Sequence, residues 1–233
     1  LRAGGFVPRG TRVAGFVDVA ELDPTILVDM VFFTGRNYLD HNFYGINTCF
    51  VREELGRALA AASAQVRAQG YRLVVRDCYR PLAVQRALVA APSYDGIAAS
   101  LANANHPRGA AVDARLARPD GRKVPLAPRG VPVRQVMASD APVGEPYASG
   151  RRTLREAMLA AGLKPIRREY WHFDVSAPRR YPQLDVPVAA MAKWERLSIP
   201  PLPRTRGGPA AQPPPPAVSF VPADPDDRLG AAW

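Results

Sequence analysis

The sequence predicts an α+β domain, a small and mostly antiparallel sheet with flanking helices. Three observations carry that expectation. Short segments with two-residue alternation or continuous apolar character recur along the chain, at Tyr71 to Asp77, Ala111 to Leu116 and Tyr170 to Asp174. Stretches with helical spacing lie between them. A length of 233 residues, 47% of them hydrophobic, suffices for one domain with a substantial core.

Taken in order, residues 1 to 15 contain Gly, Pro and Arg without periodicity and read as a flexible leader. The domain is expected to begin at Phe16 and run to residue 198. The stretch FVDVAELDPTILVDMVFF supplies apolar extended segments, and GRNYLDHNFYG has the Asn, Asp and Gly of a loop. His41 lies in that loop and reads as a surface residue. From Glu53 the spacing of Leu55, Leu59, Ala62 and Val66 predicts a helix, with Gly70 as its stop. Tyr71 to Asp77 reads as a strand whose end delivers Cys78, Tyr79 and Arg80 to a second helix, with Pro81 at its first position and Leu82 to Ala90 behind it.

Residues 92 to 105 are small and polar, a loop leading to His106. In AAVDARL, alternation places Ala111, Asp113 and Arg115 on one face and Val112, Ala114 and Leu116 on the other. Residues 118 to 150 are rich in Pro, Gly and Arg and read mostly as irregular loop. Thr153 to Ala161 reads as a short amphipathic helix ended by Gly162. In the strand that follows, Tyr170, His172 and Asp174 share a face, and Glu169 is out of phase with His172, so a bend or bulge must re-aim it. Beyond residue 199 the composition shifts: 10 of the chain's 25 prolines fall in residues 199 to 233, including PPPP at 213 to 216. That segment reads as a Pro-rich disordered tail.

The chemistry concentrates in NHPRGAAVD, residues 105 to 113, and EYWHFDV, residues 169 to 175. A catalytic zinc takes three ligands from His and Asp or Glu and keeps a fourth position for water, so His106, Asp113 and His172 make one complete set. One Zn2+ per chain is expected. Glu169 is left over as a base, able to take a proton from the attacking water and pass it to the leaving amine. Each half alone has a plainer reading, His106 with Asp113 as a structural hydrogen bond and Glu169 with His172 as a surface strand. Their pairing, in a chain with three histidines, favours the metal site.

The pattern HxxGxAxD at His106, Gly109, Ala111 and Asp113, followed by ExWH at Glu169, Trp171 and His172, resembles the zinc D-alanyl-D-alanine dipeptidases of the vancomycin-resistance type. Asp77-Cys78-Tyr79-Arg80-Pro81 is similar to the family's DxYRP segment, and the likeness spans about residues 16 to 188. It implies a fold shared with hedgehog signalling domains, zinc held by His106, Asp113 and His172, Glu169 as general base, and Arg80 stabilising the tetrahedral intermediate. The implied substrate is a small D-amino-acid dipeptide, D-Ala-D-Ala, a peptidoglycan precursor or turnover product. Two rivals remain: a D,D-carboxypeptidase acting on stem peptides, and a non-catalytic module that binds cell-wall peptides. The chain departs from the family at Ala104, where a serine is usual. It also lacks an acid between Val124 and Ala138, where relatives hold the substrate's ammonium, leaving Asp140 and Glu145 as the nearest replacements.

The formal charge of +10 is carried by arginine, 28 of the 31 basic residues, without a dense basic run or interleaved aromatic platform. This argues against a nucleic-acid partner. No apolar run approaches the length of a transmembrane helix. The chain begins with Leu, which suggests a processed or trimmed form. Cys49 and Cys78 lie at the ends of extended segments on either side of one helix, and an even cysteine count is compatible with a disulfide and a periplasmic or secreted location. The alternative is two free thiols in a cytoplasmic enzyme.

Overall fold

A computed structural model describes residues 6–35, 37, 39–92 and 97–196. The chain opens with β1 (Phe6–Thr11), β2 (Phe16–Asp18), α1 (Val19–Leu22) and β3 (Leu27–Val28), and a long connection leads to β4 (Phe50–Arg52). Helix α2 (Glu53–Ala68), β5 (Arg72–Asp77), α3 (Leu82–Ala90) and β6 (Ala111–Ala117) follow. The remainder comprises α4 (Val133–Val136), α5 (Tyr147–Ala160), β7 (Lys164–Pro165), β8 (His172–Asp174), α6 (Val188–Met191) and β9 (Ala192–Arg196).

The central sheet has five strands in the order β3-β5-β6-β8-β7, antiparallel except where β3 runs parallel to β5. The expected α+β architecture is therefore present. One face of the sheet is apolar and buried, with Leu73, Val75, Val112, Ala114, Leu116 and Phe173 all inaccessible to solvent. Helices α2 and α5 pack against the sheet and against each other. The α2 stripe Leu55, Leu59, Ala62 and Val66 is fully buried, as its spacing predicts. Burial of each large aliphatic side chain there contributes about 1.5–3 kcal/mol. Gly70, at φ +79°, ends the helix by letting Tyr71 N–H reach the Val66 carbonyl.

Several elements differ from the sequence reading. Residues 6–11, assigned above to a flexible leader, pair antiparallel with β9, Phe6 opposite Arg196 and Thr11 opposite Ala192. Val19–Leu22, expected to be extended, makes a helical turn because the Asp18 side chain accepts from Ala20 N–H and caps it. Helix α3 begins at Leu82, with Pro81 in the extended capping position rather than inside the first turn. Helix α5 begins at Tyr147, six residues before Thr153, where the Glu145 carboxylate accepts from Ser149 N–H and supplies one partner for the free donors of the first turn. The segment from residue 197 onward, including the Pro-rich tail, lies outside the described residues.

Cys49, just before β4, and Cys78, just after β5, are joined in a disulfide. The two segments are also stitched by Tyr79 N–H donating to the Phe50 carbonyl at 2.9 Å. The pairing expected from the cysteine positions is therefore present.

Candidate metal and active site

The site lies on the polar face of the sheet, at the end where β5 leaves it. Along β6 and β8 the register sets Asp113 opposite His172 and Ala111 opposite Asp174, with Val112 opposite Phe173 on the core face. In β5 the register shifts between Val75 and Asp77, which brings Asp77 opposite Asp113. Uninterrupted alternation from Leu73 and Val75 would have aimed Asp77 into the apolar core. The irregularity turns it to the site side.

His106 comes from a single turn of 3-10 helix, His106–Arg108, that closes on Gly109 at φ +67°. Only glycine fits there: a Cβ would sit 2.3 Å from Phe16 Cε1, in a backbone conformation that other residues rarely adopt. The expected re-aiming of Glu169 is achieved by a turn before β8, in which His172 N–H donates to the Glu169 carbonyl at 3.3 Å. Glu169 and His172 thus stand at the two ends of one turn and reach the same point. Tyr170, read above as sharing the His172 face, instead sits in the turn with the Arg151 guanidinium 3.7 Å over its ring.

Three donor atoms converge. His106 Nε2 and His172 Nδ1 are 3.2 Å apart, His172 Nδ1 and Asp113 Oδ1 are 3.1 Å apart, and His106 Nε2 and Asp113 Oδ1 are 3.4 Å apart. A tetrahedral ion with bonds of about 2.0–2.1 Å needs ligand atoms about 3.3–3.4 Å apart, so the spacing fits a zinc-sized ion. All three residues are buried. Asp113 Oδ2 is also buried and lacks a hydrogen-bond partner among the described residues, a deficit that a cation beside it would offset.

The orientations of the two imidazoles are fixed from behind. His106 Nδ1 lies 2.8 Å from the Cys78 carbonyl, so it donates there and leaves Nε2 free as a ligand. On His172, Nε2 lies 3.1 Å from Asp174 Oδ1, which leaves Nδ1 facing the other two donor atoms. Glu169 Oε2 is 3.7 Å from the same His172 Nδ1.

Burial raises the Glu169 carboxyl above its usual range, against the pull of His172, His106 and Arg80, and the Asp113 charge raises it further. A carboxylate so placed holds a transferred proton more readily than an exposed one. Burial also disfavours the Asp113 anion, but His106 and His172 outweigh it and the carboxyl stays well below the usual range. Burial disfavours the charged form of His172, but its hydrogen bonds to the Asp113 and Asp174 carboxylates outweigh that and raise it.

Arg80 is buried in the cleft wall with its guanidinium tied down on two sides. Nε donates to Asp77 Oδ2 at 2.9 Å, Nη2 donates to the same oxygen, and Nη1 donates to Gln85 Oε1. Asp77, fully buried, also accepts from Tyr44 OH and from Cys78 N–H. Arg80 N–H donates to the His106 carbonyl at 3.2 Å, so the Cys78–Arg80 strap and the His106 turn hold each other.

A partly open cleft runs over these groups, lined among others by Arg80, Gln85, His106, Glu169, His172 and Asp174. Asp140 and Glu145 do not line it. Asp140 is exposed and pairs with Arg167 at 2.9 Å, and Glu145 is exposed at the start of α5 near Arg152. His41 stacks edge-on against Phe43 and takes no part in the donor cluster. The sequence reading gave no role to Asp174 or Gln85. A signal existed for the first, since it lies two residues beyond His172 on the same strand face, and for the second only its position one turn into the helix after Arg80.

A buried cluster of two histidines and an aspartate, with a raised carboxyl beside it, fits a metal-dependent hydrolase. The comparisons agree and narrow it. The chain belongs to the D-Ala-D-Ala dipeptidase family, peptidase M15, whose profile matches residues 12–188. It is also similar to the D-alanyl-D-alanine dipeptidase of Escherichia coli K12, 26% identical over 170 residues that cover 72% of this chain and 88% of that protein. Among the described residues, no helix is long and apolar enough to cross a membrane.

Proposed function

We propose that the protein is a zinc dipeptidase that hydrolyses D-Ala-D-Ala. The observation that carries the reading is the set of three donors at tetrahedral spacing with Glu169 at 3.7 Å from one of them, inside one cleft. His106, Asp113 and His172 would hold the ion. Zinc, when bound, supplies Lewis acidity to water and to a carbonyl oxygen. Glu169 takes the proton that the attacking water loses as the new C–O bond forms, and returns it to the departing nitrogen as the C–N bond breaks. Arg80, the permanent cation in the wall, faces the negative charge that develops on the carbonyl oxygen. Its ties to Asp77 and Gln85 hold it in place beforehand. The disulfide supports a periplasmic or secreted location, because such bonds persist in oxidising compartments.

The positions of Asp140 and Glu145, away from the cleft, favour one second reading, a D,D-carboxypeptidase acting on longer peptides whose amino end is blocked. Metal analysis and an assay on D-Ala-D-Ala test the first reading. About one zinc per chain is expected, with turnover abolished by a chelator and restored by zinc. Absence of metal overturns the zinc site. A loaded protein that spares D-Ala-D-Ala but trims stem peptides overturns the dipeptidase.

A further inference from the structure

His106 is the one donor of the three that no strand carries. Asp113 and His172 take their places from the register of β6 and β8, whereas His106 stands on a single 3-10 turn. A turn this short does not hold its own geometry and must be tied from outside. Its successive carbonyls show how. That of His106 accepts from Arg80 N–H at 3.2 Å, that of Pro107 from Leu184 N–H at 2.8 Å, and that of Gly109 from Arg52 N–H at 2.8 Å. The Arg108 carbonyl accepts from a side chain, Arg52 Nε, at 3.0 Å. Arg52, at the junction of β4 and α2, thus grips two adjacent carbonyls of the turn.

The surroundings of Arg52 point the same way. Its guanidinium lies between two rings, 4.2 Å from the centroid of Phe16 and 4.8 Å from that of Tyr181. The residue is 9% exposed, and burial lowers its pKa against the pull of Tyr181 and Tyr79, with no acid among the causes. Glu54, which accepts from Tyr181 OH, is paired with Arg180 instead. A buried cation without a carboxylate is costly, so ion pairing does not account for its presence. Both rings belong to the turn's own support. Phe16 packs over Gly109, and the Tyr181 carbonyl accepts from Arg108 Nη1 at 2.7 Å.

We propose that Arg52 is a positioning residue for the ion, holding the His106 turn through the Arg108 and Gly109 carbonyls so that His106 Nε2 meets the other two donors, an inference that rests on the zinc reading. Arg52 does not line the cleft. It acts through the turn alone.

Arg52→Met tests the assignment, because it keeps an unbranched stem between the rings and removes the Nε donor. Arg52→Gln removes the same donor if methionine is not accommodated. Leu59→Ala, in the α2 stripe, is the control for a general loss of stability. The measurements, on the full chain, are the zinc dissociation constant by competition with a chromophoric chelator, the visible spectrum of the cobalt(II)-loaded protein, which reports donor geometry, and the denaturant midpoint. R52M should weaken zinc binding by about tenfold or more and alter the cobalt bands. Loss of a positive charge would by itself favour a cation, so weakening separates positioning from electrostatics. L59A should lower the midpoint and leave zinc affinity and spectrum as in wild type. Unchanged affinity and spectrum in a folded Arg52 variant overturn the inference and leave the zinc site standing, with Arg52 a structural tie. Equal weakening in L59A also overturns it, because affinity would then follow stability. Wild type that takes up no zinc overturns the zinc reading and this inference together.

Discussion

The two walls of the cleft are built differently. On the sheet side, several groups in the proposed chemistry are themselves held by others: His106 by the Cys78 carbonyl, His172 by Asp174, and Arg80 by Asp77 and Gln85, with Asp77 held in turn by Tyr44 and Cys78. On the loop side, Ile97, Ala98 and Ala104 present apolar surface and Ile166 adds more. The first wall stores orientation in strands, where alternatives are few. The second stands on connections, where side chains can change without disturbing the ion's donors. Machinery and recognition can therefore diverge separately in one chain.

Loss of a donor on the rigid wall should have the largest effect. His172→Ala should lose the metal and all measurable turnover. Glu169→Ala should keep about one metal per chain and lose a factor of about 10²–10⁴ in kcat, the usual range for removing a general base. Metal content measured beside kcat separates the two roles, and near-normal turnover in the Glu169 variant would remove it from the mechanism.

Arg80→Ala sharpens the comparison, because this residue is both anchored and, as proposed, catalytic. A fall of about 10²–10³ in kcat is expected, with metal content retained. The variant also leaves Asp77 buried without its cation, so unfolding should be easier by about 3–5 kcal/mol. Denaturant titration beside kinetics distinguishes the outcomes: lost stability with intact kcat would leave Arg80 as a corner tie alone.

The disulfide probes how much of the rigid wall depends on covalent help. Its 29-residue separation predicts a stability loss of about 3–4 kcal/mol when Cys49 and Cys78 are both replaced by Ala. Turnover of the folded fraction should change far less. Alkylation without reductant, on protein from its native compartment, gives the complementary result, and two modified thiols would remove the support for export.

Most of the scaffold was legible because it is periodic. The α2 stripe and the alternation in β6 follow from spacing alone, and the donor residues stood out because few other roles call for His and Asp in apolar strands. The rest depended on contacts distant in sequence. Phe6–Thr11 lacks periodicity, and its strand exists through pairing with β9, more than 180 residues later. The early start of α5 was obscured by Pro146 and Gly150, with Glu145 providing a cap that reads as an ordinary surface acid. The register shift in β5 left no trace in the sequence, since the pattern through Asp77 is that of a regular strand. Alternation places Asp174 on the His172 face, but no spacing rule distinguishes a supporting carboxylate from a bystander.

The alignment of Asp77, Asp113 and His172 across three neighbouring strands makes the sheet a measuring device. A slip of one residue anywhere in β6 or β8 would turn a donor into the apolar face, so the cluster exists only while the pairing is correct. An ion held by Asp113 and His172 would read the pairing of β6 with β8. Its affinity and the cohesion of β6 and β8 would be one linked equilibrium, in which tighter binding suppresses fraying of the pair and fraying releases the ion.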